Sequence, residues 1–167
     1  RARKLIKESG YDGQTIVILD PVDTAPYHAC ALVTEDLFKQ LGIKTELRAM
    51  NWGSYLQRRN NQSSPSEGGW HIGFTALVGT GNLDPVSNPA IRGTGKLGWF
   101  GWPTDEKLEQ LRQDWLFAAT LEQRQAICRD IQLQVMEQVP YIPLGAVYNL
   151  SALRKNWKDF QPQGPAF

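Results

Sequence analysis

Between two amphipathic stretches of this chain lies a segment with neither a helical nor a strand period, Gly68 to Pro103 (GGWHIGFTALVGTGNLDPVSNPAIRGTGKLGWFGWP). It opens as a short apolar run, Trp70 to Val78. Gly, Pro, Asn and Thr then take over until it closes on Trp99, Phe100 and Trp102. Long irregular segments inside compact domains are uncommon and are either functional or disordered. Disordered segments are poor in aromatics, and this one is rich in them. The pattern predicts an ordered surface loop, fed by a buried strand over 70–78 and carrying aromatic side chains to a binding surface.

Residues 1–9 have helical character and end at Gly10, a residue type favoured just past a helix terminus. Gln14 to Leu19 contains IVIL, a β-branched run suited to a strand buried on both faces. Asp20 to Pro26 reads as a loop. A helix follows from Tyr27 to Leu41, with Cys30, Val33, Leu37 and Leu41 as its apolar stripe and Gly42 as its stop. Ile43 to Met50 alternates in polarity, as a strand with one wetter face does. Ser54 to Asn60 predicts a short helix in which Tyr55 packs while Arg58 and Arg59 face water, and a polar loop runs on to Gly69. The order strand–helix–strand–helix–strand belongs to a parallel or mixed sheet with covering helices. In such sheets ligands sit beyond the carboxyl ends of the strands. Parallel strands would bring the loops Asp20–Tyr27, Trp52–Tyr55 and Gly79–Trp102 to one edge.

After the loop, Thr104 is predicted to cap a helix with Asp105 and Glu106 in its first turn and Leu108, Leu111 and Trp115 as its stripe. Thr120 and Gln123 form a capping box. The helix it starts has Ile127, Ile131, Val135 and Val139 along one side and stops at Pro140. Tyr141 to Leu150 reads as extended and apolar, with Pro143 restricting it to an edge or a strand start. From Arg154 the chain turns basic, then rich in Pro and Gln, like a crossover leaving the domain.

The 167 residues suffice for one domain with its own core. A net charge of +1 gives no electrostatic case for nucleic acid or an anionic membrane surface. No apolar run approaches the ~20 residues of a membrane span. The opening RARKLIKESG reads as the second half of a helix without a start signal, so the chain is expected to be a piece of something longer. Cys30 and Cys128 are far apart; they read as small buried residues or, in an oxidising compartment, as a disulfide.

Catalytic patterns are sparse. Gly93 to Gly98 (GTGKLG) matches G-x-G-x-x-G, but a dinucleotide site needs a strand before it and a helix after it. Here a proline-containing loop precedes it and Trp-Phe-Gly-Trp-Pro follows, so the glycines read as turn formers. His28 and His71 read as surface or packing residues, and no metal-ligand or nucleophile spacing occurs. Asp20, Asp23 and Asp84 lie on predicted loops without a paired carboxylate at a recognisable spacing. Trp70 and Trp115 fit core positions. Trp99, Phe100 and Trp102 read either as ligand contacts or as a local mini-core.

The segments KLIKESGYDG, IVILDP with DTAPYHACA, GIKTELRAMNWGSYLQRR, WHIGFTALVGTGNLDP, LGWFGWPTDEKLEQL, VPYIPLG and ALRKNWKDFQP, in that order, resemble the second lobe of the bacterial extracellular solute-binding proteins of family 5. That family includes the dipeptide- and oligopeptide-binding proteins of ABC importers. The resemblance covers nearly the whole chain. It implies an α/β fold, a mixed sheet with covering helices as in a type II periplasmic-binding-protein lobe. Residues 1–167 would be a single C-terminal ligand-binding lobe, with the N-terminal lobe of the same chain missing. It further implies capture of a peptide or other small solute in an interlobe cleft, in the periplasm or another extracytoplasmic space, for delivery to an ABC permease. No catalysis, cofactor, metal or nucleic acid is implied. In peptide-binding members an aromatic is followed by an Asp that pairs with the peptide's α-amino group. The aromatic position matches Phe74, while the Asp position falls on Leu77, with Asp84 further along the loop. The expected ligand-binding residues are thus Phe74, Leu77, Asp84, Trp99, Phe100 and Trp102, and the departure at Leu77 implies a solute without a free amine at that end. On residues alone, an α/β enzyme domain with acids at Asp20, Asp23 or Asp84 stays open, as does a sensor module on the same fold.

Overall fold

The computed structural model of the chain describes residues 1–77, 79–146 and 154. The apolar IVIL run becomes strand β1, Ile16–Pro21, in which every residue from Val17 to Pro21 is buried. A strand buried on both faces needs covering elements and backbone partners on each side. On one side it pairs in parallel with β2, Thr45–Met50, in a register from Ile16↔Thr45 to Pro21↔Met50. The crossover between them is helix α2, Ala25–Leu41, closed by Gly42 in the left-handed conformation that glycine adopts without strain. Helix α1, Ala2–Glu8, precedes β1 and buries no residue. On the other side of β1 the chain at 71–72 runs alongside. His71 and Ile72 donate their backbone N–H to the Val17 carbonyl, and Leu19 N–H returns to Ile72.

That contact is a single bridge, Ile18↔Ile72, rather than the strand expected over 70–78. The run departs from β1 at once, because Gly73 and the buried Phe74 turn toward helix α3, Trp52–Arg59. Val78 lies outside the described residues. The fold is α/β, with a small parallel sheet and covering helices.

The inner face of α2 differs from the expected stripe. Val33 and Leu37 are 69% and 50% exposed, whereas Ala31 is fully buried against Ile18 and Phe74, flanked by Tyr27 and Cys30. Tyr27, Ala31, Thr34, Phe38 and Leu41 form the covered row. Both rows have helical spacing; the small Ala31 lets the helix approach the strand, and so its row is the one that packs. In α3, Tyr55 is fully buried as expected, but Arg58 and Arg59 are half-buried rather than facing water.

Arg1–Ala76 with Lys96–Trp102 makes one compact unit, and Leu77–Gly95 with the chain from Pro103 makes a second. The second unit is built on α4, Glu106–Phe117, and α5, Leu121–Gln138, which enclose Ile91, Leu108 and Ile131 with Leu111, Trp115, Ile127 and Val135 at the margin. The α4 cap is Asp105, one residue after the expected Thr104. Its carboxylate accepts from Leu108 N–H with one oxygen and from the buried Gln134 amide with the other. Thr120 and Gln123 form the predicted capping box. Val139, expected on the α5 stripe, is 53% exposed in the left-handed cap position. Tyr141–Ala146 is irregular and exposed; the rest of the expected extended segment, and the tail apart from Arg154, lie outside the described residues.

The packing difference on α2 is testable by thermal or urea unfolding. Ile18→Ala should cost about 2–5 kcal/mol as a core truncation. Val33→Ser should stay within about 0.5 kcal/mol, the scale of surface changes. Equal losses at the two positions would mean that the Val33 face is covered.

Candidate ligand-binding site

Because β1 and β2 are parallel, their carboxyl ends meet at Pro21 and Met50. Two turns leave from there, one into α2 and one into α3. Val22 N–H donates to the Met50 carbonyl, and the Asp23 carboxylate accepts Trp52 N–H at 3.0 Å, so the turns are joined. Asn51 caps α3 through its side chain, which accepts from Ser54 N–H. The joined turns stack three rings: Tyr27 on Trp52 at 5.3 Å between centroids, and Trp52 on Tyr55 at 5.1 Å. Tyr55 closes the buried end of this ladder, while Tyr27 and Trp52 are half-buried. Of the three loops predicted to share one edge, those at 20–27 and 52–55 meet there; of the third, only Lys96–Trp102 belongs to the same unit.

Asp20 stands at the same strand end with its side chain only 4% exposed. Its carboxylate Oδ1 lies 2.7 Å from Nδ1 of His28, on the first turns of α2. No spacing signal links a strand residue to one on the following helix, so sequence reasoning separated them, treating Asp20 as a loop acid and His28 as a surface or packing residue. Tyr27 and Trp52 escaped for the same reason. The run DPVDTAPYH, which leads from the end of the buried strand into α2, was the available clue.

The residues singled out beforehand occupy different settings. Phe74 is 7% exposed, belongs to the core with Ile18 and Ala31, and accepts the Tyr55 hydroxyl on its carbonyl. Leu77 is half-buried and falls in the second unit. Asp84, also in the second unit, accepts N–H groups of Val86 and Ser87 and the Ser87 hydroxyl. The Ser87 backbone bond is the leading cause holding its carboxyl below the ordinary value. The chain after it is stapled by the buried Arg112, which donates to the carbonyls of Pro85 and Val86 and to Glu109.

Trp99, Phe100 and Trp102 form a half-buried cluster in the first unit. Trp99 meets Phe100 edge-on at 4.7 Å, and Trp102 lies 5.8 Å from Trp70. The Arg59 guanidinium sits 3.8 Å from the Phe100 ring centre, and the Trp70 indole donates to the Arg59 carbonyl. Gly93, first of the GTGKLG glycines, approaches the Asp105 backbone so closely that a Cβ would lie 2.5 Å from its carbonyl oxygen. That glycine therefore serves a tight crossing of two chain segments. Both cysteines are free. Among the described residues, no group of three or more His, Cys, Asp or Glu could hold a metal ion, and no helix is long and apolar enough to cross a membrane.

No family model matches the chain. It is 33% identical over 162 residues to the "Probable peptide ABC transporter periplasmic-binding protein y4tO" of Sinorhizobium fredii, covering 97% of the chain and 30% of that protein. The ABC transporter substrate-binding protein CtaP from Listeria monocytogenes superposes with a TM-score of 0.67 at 17% identity, over 81% of this chain and 27% of that one. NikZ from Campylobacter jejuni, solved with Ni(L-His), superposes at 0.62 and 16% identity, over 83% and 30%. The chain thus spans under a third of each relative, and its fold is that of a segment of such binding proteins. The resemblance read from the sequence is borne out by this homology.

His71 supplies a pH test. Its Nδ1 accepts the Val17 N–H at 2.9 Å, which requires that nitrogen to be unprotonated, and burial pulls the imidazole below its ordinary value. A depressed folded value means that the unfolded chain binds the proton more readily. Stability is therefore full above the unfolded value of about 6.5 and falls as pH drops below it. Melting temperatures from pH 8 to pH 5 should fall more steeply for wild type than for His71→Gln; parallel slopes would remove His71 from this role.

Proposed function

We propose that residues 1–167 form one ligand-binding lobe of a larger two-lobed solute-binding protein of an ABC importer. It captures a peptide or peptide-like solute outside the cytoplasm and passes it to a membrane permease. The observation that carries this reading is the junction of two parallel strand ends with the Tyr27 and Trp52 rings stacked beside them. Solutes in open α/β sheets bind beyond carboxyl strand ends, and small-molecule sites combine aromatic walls with a few placed polar groups. The identity to a protein named as a peptide ABC transporter periplasmic-binding protein supports the same reading.

Trp99, Phe100 and Trp102 offer a further apolar surface to the solute, and Phe74 supports the site from within by fixing Tyr55. Leu77 supplies neither charge nor acceptor, and the Asp84 carboxylate is already engaged by Val86 and Ser87. Neither position offers a free α-amine a ready anchor, because a desolvated ammonium needs a free carboxylate or several acceptors.

Calorimetry on the full-length protein with a peptide library tests the reading. Trp52→Ala and Trp102→Ala should each weaken binding by about 1–3 kcal/mol with folding retained. No binding by wild type, or unchanged affinity in both folded variants, would sink it. Pairs of peptides differing only in N-acetylation examine Leu77. Leu77→Asp should gain affinity for the free amine, while Asp84→Asn leaves the preference unchanged; loss of a free-amine preference in Asp84→Asn would make Asp84 the anchor instead.

A further inference from the structure

We propose that the Asp20–His28 pair is the polar anchor of the strand-end site, and that it receives an N–H donor on a cationic group of the solute. The inference rests on reading that edge as the solute site, and it begins from Asp20. A carboxylate with 4% of its side chain exposed needs a hydrogen-bond partner within the protein, and the His28 ring lies 2.7 Å away. With Asp20 ionised, the carboxylate accepts and Nδ1 of His28 donates. In the neutral ring Nε2 is then a bare acceptor. No hydrogen bond to it is made among the described residues, and the His28 side chain is 37% exposed.

The surroundings select the sign of what Nε2 meets. Residues 20–28 and 51–55 contain Asp20 and Asp23 and no Lys or Arg. Asp23 is exposed and gives one carboxylate oxygen to Trp52 N–H. Tyr27, adjacent to His28, is stacked on Trp52, and aromatic faces attract cations. The Arg59 guanidinium belongs to the other end of the ladder, 5.8 Å from the Tyr55 ring. A solute carboxylate here would face the Asp20 and Asp23 carboxylates. An ammonium or guanidinium would find an acceptor nitrogen, carboxylates and a π surface. A purely structural tie between β1 and α2 would account for the Asp20–His28 contact, but it would not discriminate between solutes.

Discrimination is therefore what the experiment reads. Three N-acetylated tripeptides, identical except for Lys, norleucine or Glu at the central position, are titrated into the full-length protein by calorimetry. The Lys peptide should bind at least about tenfold more tightly than the norleucine peptide, and the Glu peptide most weakly. In His28→Leu and Asp20→Asn the Lys-to-norleucine ratio should fall below about threefold. Variants that weaken both peptides alike and keep the ratio would show a structural tie only and overturn the proposal. Should either variant fail to fold by circular dichroism, the histidine spectra of the wild-type protein decide. Nitrogen-15 spectra of wild-type histidines add a readout independent of any variant: the His28 Nε2 signal should move with the Lys peptide and not with norleucine, and an unmoved signal overturns the anchor. Equal binding of all three peptides, or preference for Glu, defeats this inference alone. No binding of any of them defeats the solute-site reading beneath it.

Discussion

The backbone of β1 sets the terms for everything around it. Val17 to Pro21 is buried, so no water is at hand for its N–H and C=O groups, and each must find a partner in the protein. β2 supplies them on one side. On the other side the 71–72 segment makes three backbone bonds, and the His71 ring makes a fourth to Val17 N–H. A side chain thus takes the place of a ladder partner on the near side of the single bridge. The next residues of the segment go to Phe74, whose ring fills the space over Ile18 and Ala31 and whose carbonyl takes the Tyr55 hydroxyl. Burial pushes that phenol's ionisation up, so it stays a donor. The short sheet is thus completed by side chains from the segment that the sequence pattern read as a third strand.

The carboxylates differ in what they accept. Asp105 and Asp84 are spent mainly on nearby backbone N–H groups, Asp105 at the cap of α4 and Asp84 in the turn before Ser87. Asp23 holds the α3 entry to the α2 entry. Asp20 alone of these pairs with an imidazole. Its burial follows from its place on β1, and the ring that relieves it comes from the opening turns of the next helix. A need of the fold thereby sets a titratable ring at the edge where parallel sheets present ligands.

What the sequence disclosed follows from periodicity. IVIL marked β1, Gly42 ended α2, and Thr120 with Gln123 opened α5, because each is a local signal with a local cause. The stripe on α2 was ambiguous: Val33 and Leu37 are as apolar as the row that packs, and only the close approach at Ala31 breaks the tie. Asp105 in place of Thr104 was decided by Gln134, a residue from α5. The meeting of the 20–27 and 52–55 loops was legible from strand order. The Asp20–His28 pair and the Tyr27–Trp52–Tyr55 ladder were not, since they join residues across elements with no repeating interval.

Helix α3 carries both groups of aromatics in the first unit. Its first residue, Trp52, stacks on Tyr27 at the strand ends; its last, Arg59, lies on Phe100 and receives the Trp70 indole on its carbonyl. The Arg59 Nε is buried without an acceptor, an arrangement that costs free energy and that the ring contact offsets. A planar, weakly hydrated guanidinium tolerates this place better than an ammonium would. The loop aromatics therefore hold the far end of the helix whose near end holds Trp52. Tyr55, between them, is fixed to Phe74, so the helix is tied at its start, its middle and its end. Phe100 and Trp70 thus hold one end of the same helix whose other end orients the Trp52 ring.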